Sequence, residues 1–217
     1  MSSEPLILAS ASPRRRELIA ALGVTFEVRT PQSDERAGGA DPARLAEGLA
    51  LRKARDAAAR EAAAGEPAAG RAIVGADTVV VLDGRVLSKP LDGEQARAML
   101  DSLRGRTHEV ITGVAVVAGE RTAADHVRTA VTMRRYSDAE VERSIAGGSP
   151  LDKAGAYAIQ DREFTPVERH EGCECSVIGL PLWTLRRLLR AAAGIEAAQP
   201  SYDRCAACPL RPSAAGP

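Results

Sequence analysis

The 217-residue chain has almost no lysine. Of its 29 basic side chains, only Lys53, Lys89 and Lys153 are not arginine. Aromatic residues are also sparse, at 3%, which argues against a stacking platform for nucleic-acid bases. The formal net charge is zero, so no bulk attraction to nucleic acid or to an anionic membrane surface is expected. No apolar run approaches the length that spans a bilayer, and the amino end lacks the basic-then-apolar layout of a signal peptide. A cytoplasmic protein with no nucleic-acid and no membrane partner is expected. Cysteine is missing from the first 172 residues; Cys173, Cys175, Cys205 and Cys208 all lie beyond them.

What is present is ordinary for a soluble globular protein, with 45% hydrophobic and 27% charged residues. Residues 6–9 read as a short apolar strand. Ser12 can cap the next helix, Pro13 fits its first position and Gly23 ends it. Residues 24–29 read as a second strand and 41–64 as a helix. Residues 72–82 form a nearly continuous apolar run, as in a strand buried on both faces. Asp83-Gly84 turns tightly into residues 85–87. Residues 93–103 and 137–146 read as helices. Residues 109–117 and 127–134 read as long strands that pair through a loop near Gly119. Short strands are expected at 156–160 and 175–178, and a last helix at 181–193. Strands alternate with helices, so the class is α/β. Residues 1–194 are expected to form one domain, followed by a C-terminal tail, 195–217, that carries Cys205-x-x-Cys208.

Three places carry chemistry. At the amino end, a strand, a turn and a helix start bring backbone N–H groups together with Ser10, Ser12, Arg14 and Arg15, an arrangement that attracts anions. In the apolar run, Asp77 and Thr78 interrupt the hydrophobic pattern. A buried carboxylate is costly, so Asp77 suits a metal ligand, a general base or the partner of a buried lysine. Lys53 falls on one helix face with Leu45, Leu49 and Ala57, spaced by four, and should point inward. In a chain that prefers arginine, each surviving lysine marks a site that wants a compact ammonium, as around phosphate groups. The third place is residues 152–160, where Lys153 precedes Gly155 and Gln160 could read a base edge.

These strings together resemble the Maf family of nucleoside triphosphate pyrophosphatases. The matching strings are Leu8-Ala9-Ser10-Ala11-Ser12-Pro13-Arg14-Arg15, Lys53-Ala54, Gly75-Ala76-Asp77-Thr78, Leu87-Ser88-Lys89-Pro90, Thr107-His108-Glu109-Val110-Ile111-Thr112-Gly113, Asp152-Lys153-Ala154-Gly155-Ala156-Tyr157 and Gly179-Leu180-Pro181. Their order and spacing match as well, from about residue 6 to 190. The resemblance implies a Maf/inosine-triphosphatase-like α/β fold, with an elongated central mixed sheet flanked by helices, and a homodimer. It also implies cleavage of a nucleoside triphosphate between the α and β phosphates with a divalent metal, Mg²⁺ or Mn²⁺. By the same resemblance, Asp77 and Glu35 are the acidic groups at that metal. Lys53 and Lys89, with Arg14 and Arg15, hold the triphosphate at the catalytic centre. Ser10, Ser12, Thr78, Lys153 and Gln160 complete substrate binding. Arg14, Thr78 and Gln160 resemble the dTTP/UTP type rather than the 7-methyl-GTP type. A nucleotide-binding regulator of cell division without significant turnover and a pyrophosphatase acting on modified nucleotides such as 7-methyl-GTP are the competing readings.

Two features depart from the family pattern. Asp161 stands where glycine is usual, which would put an extra charge near the base site. The cysteines are the other. Cys173 and Cys175, two apart in an expected strand, would present both sulfurs on one face. Cys205 and Cys208 have the spacing of a zinc knuckle. Four thiolates in two pairs suit one structural Zn²⁺; free thiol pairs or a redox-active disulfide are the other readings.

Overall fold

The computed structural model describes residues 4–31, 41–65 and 71–213. Its strands are β1 Leu6–Ala9, β2 Phe26–Val28, β3 Ile73–Leu82, β4 Arg85–Leu87, β5 Thr107–Ala118, β6 Arg121–Met133 and β7 Val167–Glu171. Its helices are α1 Pro13–Ala20, α2 Pro42–Ala63, α3 Gly93–Leu103, α4 Asp138–Ala146, α5 Glu174–Ile178 and α6 Leu182–Ala193. The strands form one mixed sheet in the order β2-β1-β3-β5-β6-β7, with β4 added to β3. β1 runs parallel to β2 and β3, whereas β4 and β5 run antiparallel to β3.

The apolar run of β3 is buried on both faces because helices cover both. Alternate residues take opposite sides. On one side Ile73, Val79 and Val81 meet the alanines of α2. On the other, Val74 and Ala76 pack with Leu18 and Ile19 of α1 and Leu185 and Leu189 of α6. Val80 and Leu82 meet Leu100 and Leu103 of α3. α2 lies unusually close to the sheet. Its Ala46 and Ala50 sit over Gly113 and Gly75, where a Cβ would fall 2.3 Å and 2.1 Å from the helix carbonyl oxygens. In the tail, Ala197, Cys205 and Cys208 are buried in the same core as α1 and α6.

Two sequence expectations are corrected, and one strand is added. Residues 156–160 are not a strand. A 3-10 turn occupies Ala154–Ala156, with φ +70° at Gly155 and +63° at Ala156, a left-handed backbone that no strand accommodates. Residues 175–178 belong to α5, which begins after Cys173 and is bounded by Gly172 and Gly179, both at positive φ. β7 was not expected, because Val167–Glu171 carries one apolar residue and sits half-exposed at the sheet edge.

His108 of β5 is 3% exposed. Its Nε2 lies 2.7 Å from the Tyr157 hydroxyl, and its Nδ1 finds no hydrogen-bond partner among the described residues. Burial pulls this imidazole down from 6.5 to about 4. The unfolded chain therefore takes up the proton first as pH falls. Stability attributable to His108 is complete above about pH 6.5 and is lost towards pH 4, by up to about 3 kcal/mol. Unfolding midpoints measured across that range should fall more steeply for the wild type than for His108→Gln; equal slopes would refute the assignment.

Candidate functional site

β3 changes neighbours along one edge. β1 pairs with it over Ile73–Gly75, ending at Ala9, and β4 pairs with it over Val80–Leu82. Between these ladders, residues 76–79 have no strand partner on that edge among the described residues. A cavity of about 730 Å³ opens there, walled by the loop after β1, by β4 and by residues 152–160. A ligand site where neighbouring strands diverge is a recurrent device of α/β sheets.

Asp77 and Thr78 both line the cavity but face opposite sides of the sheet. Asp77 faces α2. Lys53 comes down from that helix, and its Nζ donates to Asp77 Oδ1 at 2.5 Å, with side chains 7% and 11% exposed. The lysine stripe and the interrupted apolar run therefore meet in one buried ion pair. Thr78 faces α1 and α5. Arg15 Nη2 donates to Thr78 Oγ1 at 3.2 Å, and Arg15 also donates to the Gly179 carbonyl at 2.9 Å and to Ser10 Oγ at 3.3 Å. Thr78 Oγ1 and Thr112 Oγ1 share a hydrogen bond at 2.9 Å, and Thr112 Oγ1 donates to the Ser176 carbonyl at 2.6 Å. Thr112, 0% exposed, was missed as a contributor; the signal was a hydroxyl inside the apolar stretch of β5.

Ser12 caps α1, accepting from the Arg15 backbone N–H at 3.5 Å, and Pro13 opens the helix. Arg14 reaches across the cavity to Asp152 Oδ2 at 3.4 Å, and Lys153 Nζ donates to Asp152 Oδ1 at 2.5 Å. Burial acts to raise the Asp152 carboxyl, but the Lys153 hydrogen bond and the charges of Lys153 and Arg14 outweigh it and hold the group below the usual range. Lys89 lines the wall beside β4. Among the described residues, five cations, Arg14, Arg15, Lys53, Lys89 and Lys153, thus face two carboxylates, Asp77 and Asp152, across one cavity. This excess of positive charge suits a polyanion.

Gln160 lines the opposite wall, with its Nε2 3.5 Å from the Tyr202 hydroxyl of the tail. Asp161 is not a cavity group. Its Oδ1 accepts from the backbone N–H groups of Glu163 and Phe164 at 3.0 and 2.9 Å, so it shapes a turn, as aspartate side chains often do. Glu35 lies outside the described residues; the described chain reaches the cavity wall at Thr30 and Pro31. The donor set fits a hard divalent cation of the Mg²⁺ kind, which binds through one or two carboxylates and completes its shell with phosphate oxygens and water. Asp77 supplies such a carboxylate in the cavity floor. Among the described residues, one group of three, Glu47, Asp125 and His126, brings its ligand atoms within 4.8 Å of one another. It lies outside the cavity, and Asp125 is already paired with Arg187.

The chain is similar in sequence to proteins along nearly their whole length. The family described as Maf-like protein matches residues 5–192. A dTTP/UTP pyrophosphatase of Thermomicrobium roseum is 47% identical over 96% of this chain and 94% of its own. One from Moorella thermoacetica is 48% identical over 85% of this chain and 93% of its own, and one from Salinibacter ruber 47% over 87% and 91%. Sheet, cavity and cationic lining thus agree with a match that spans most of the sequence, and the chain belongs to the Maf family.

Proposed function

We propose that this protein hydrolyses nucleoside triphosphates, dTTP and UTP foremost, to the monophosphate and pyrophosphate. The Asp77–Lys53 pair on the floor of a cationic cavity carries this reading, and the activity named for the relatives supports it. A triphosphate bears about four negative charges. Arg14 and Lys153 can turn their charges towards it, since a phosphate can take the place of Asp152 on both, and Lys89 adds a third charge from the wall. Arg15, anchored by Gly179 and Ser10, is the preset member of the group. Asp77, with Glu35, would hold the divalent metal, Mg²⁺ or Mn²⁺, whose role when bound is to neutralise charge on the phosphate oxygens. Lys53 fixes the direction of the Asp77 carboxylate, which can accept a proton from the attacking water. Gln160 offers a donor and an acceptor to a pyrimidine edge.

The test is product analysis with dTTP, UTP, CTP and 7-methyl-GTP plus Mg²⁺ or Mn²⁺. Cleavage of dTTP and UTP with release of pyrophosphate is expected; release of orthophosphate would remove the reaction assignment. Gln160→Glu should lower kcat/KM for dTTP and UTP about tenfold or more, because the amide donor to the base edge is replaced by a charge, with little change in the unfolding midpoint. An unchanged ranking of the four substrates would show that Gln160 does not read the base.

A further inference from the structure

The cysteines take no part in this chemistry, yet the fold gathers them. All four are buried and none is in a disulfide. Cys173 and Cys175 come from the start of α5, Cys205 and Cys208 from a turn of the tail, and the two segments meet sulfur to sulfur. Cys175 Sγ lies 3.1 Å from Cys205 Sγ. Cys173 and Cys208 are buried in the same core, with Ile178, Leu182 and Trp183.

We propose that Cys173, Cys175, Cys205 and Cys208 bind one Zn²⁺ as a closed tetrathiolate site that clamps the tail onto α5 and so fixes one wall of the nucleotide cavity. Four buried thiols brought together from two segments are more than one disulfide uses, and a disulfide between Cys175 and Cys205 would leave Cys173 and Cys208 as buried thiols. A tetrahedron with Zn–S near 2.3 Å sets its sulfurs about 3.8 Å apart. The ion therefore spreads the Cys175–Cys205 pair from 3.1 Å and draws the other two sulfurs in around itself. With four sulfur ligands no position is open to water, so the site is structural and distinct from the metal at Asp77.

The clamp bears on the cavity through both segments. From α5 and its end, the Ser176 carbonyl holds Thr112, which holds Thr78, and the Gly179 carbonyl holds Arg15. From the tail, Cys205 donates its backbone N–H to the Tyr202 carbonyl at 2.8 Å, and the Tyr202 hydroxyl abuts Gln160. Losing the ion loosens the partners of Thr78, Arg15 and Gln160 together.

The full-length protein, purified without chelator, should contain about one zinc per chain, and Asp77→Asn should contain the same amount. The four thiols should resist a thiol reagent until a chelator removes the metal. Co²⁺ in place of zinc should give the intense thiolate-to-cobalt charge-transfer and visible bands of a tetrahedral sulfur site. Cys205→Ser with Cys208→Ser should abolish zinc binding and raise KM for dTTP several-fold with a smaller change in kcat. The metal content and the cobalt spectrum stand whether or not the proposed reaction does, and they need no folded variant. Zinc-free protein with four reactive thiols would overturn the proposal. So would a Cys175–Cys205 disulfide found by peptide mapping, or full zinc content in the double variant.

Discussion

Asp77→Asn is expected to lower kcat for dTTP about a hundredfold or more, which is about 2.7 kcal/mol of barrier. The substitution keeps the shape of the side chain and removes its charge, the property that a metal ligand or proton acceptor needs. It also leaves Lys53 facing a neutral amide, in a place where both partners are nearly excluded from water. Breaking a buried pair in this way costs about 3 kcal/mol of stability, so lost turnover must be separated from lost fold. Substrate affinity makes the separation. Removing a negative charge from a cavity with an excess of cations should leave dTTP binding unchanged or tighter. A variant that binds dTTP, unfolds at a lower temperature and does not turn over confirms the role. A variant with wild-type kcat rejects it. Lys53→Arg is a companion: the planar guanidinium is larger than the ammonium it replaces, and α2 lies too near β3 to admit it without shifting, so this variant should lose activity despite its conserved charge.

Much of this site was legible in the sequence because its signals were violations of a strong pattern. An Asp inside the apolar run 72–82 and a Lys on the apolar face of a helix are both costly unless they meet, and Asp77 and Lys53 do meet. Helix starts were legible at Ser12, Asp41 and Ser137, where the side chain of each caps the helix that follows. Less legible were features set by tertiary contact. Residues 175–178 have a strand-like composition, but two glycines at positive φ frame them as one turn of helix. The edge strand β7 is paid for by its ladder to β6 rather than by burial, so it has no apolar signature. Asp161 could be seen as a departure but not as a turn cap, since its partners are the backbone N–H groups of the next residues. The change of neighbours along β3, which opens the cavity, depends on register and has no local signal at all.

Gly113→Ala is expected to destabilise the protein by about 3 kcal/mol or more, a fall of roughly 10 °C in Tm for a chain of this size. Gly113 pairs directly with Asp77 across the β3–β5 ladder. Its backbone needs no left-handed conformation, so alanine meets no torsional penalty, and the whole effect is one of space. The added Cβ would fall 2.3 Å from the carbonyl carbon and oxygen of Ala46 and 2.5 Å from the Glu47 nitrogen. These are backbone atoms of α2 and cannot rotate away, so the helix must lift from the sheet. Lys53 rides on that helix, and lifting it draws the ammonium from Asp77. Folded Gly113→Ala should therefore be slow as well as unstable, although residue 113 does not line the cavity. Gly75→Ala should behave alike, with its Cβ 2.1 Å from the Ala50 oxygen. Gly48→Ala is the matched control. It lies on the exposed side of the same helix with nothing within 4 Å of its Cβ, and should gain up to about 1 kcal/mol from helix propensity. Calorimetry on the three variants checks the ordering. A Gly113→Ala protein that melts with the wild type would show that α2 does not lie against the sheet this closely, and the buried approach of Lys53 to Asp77 would lose its support.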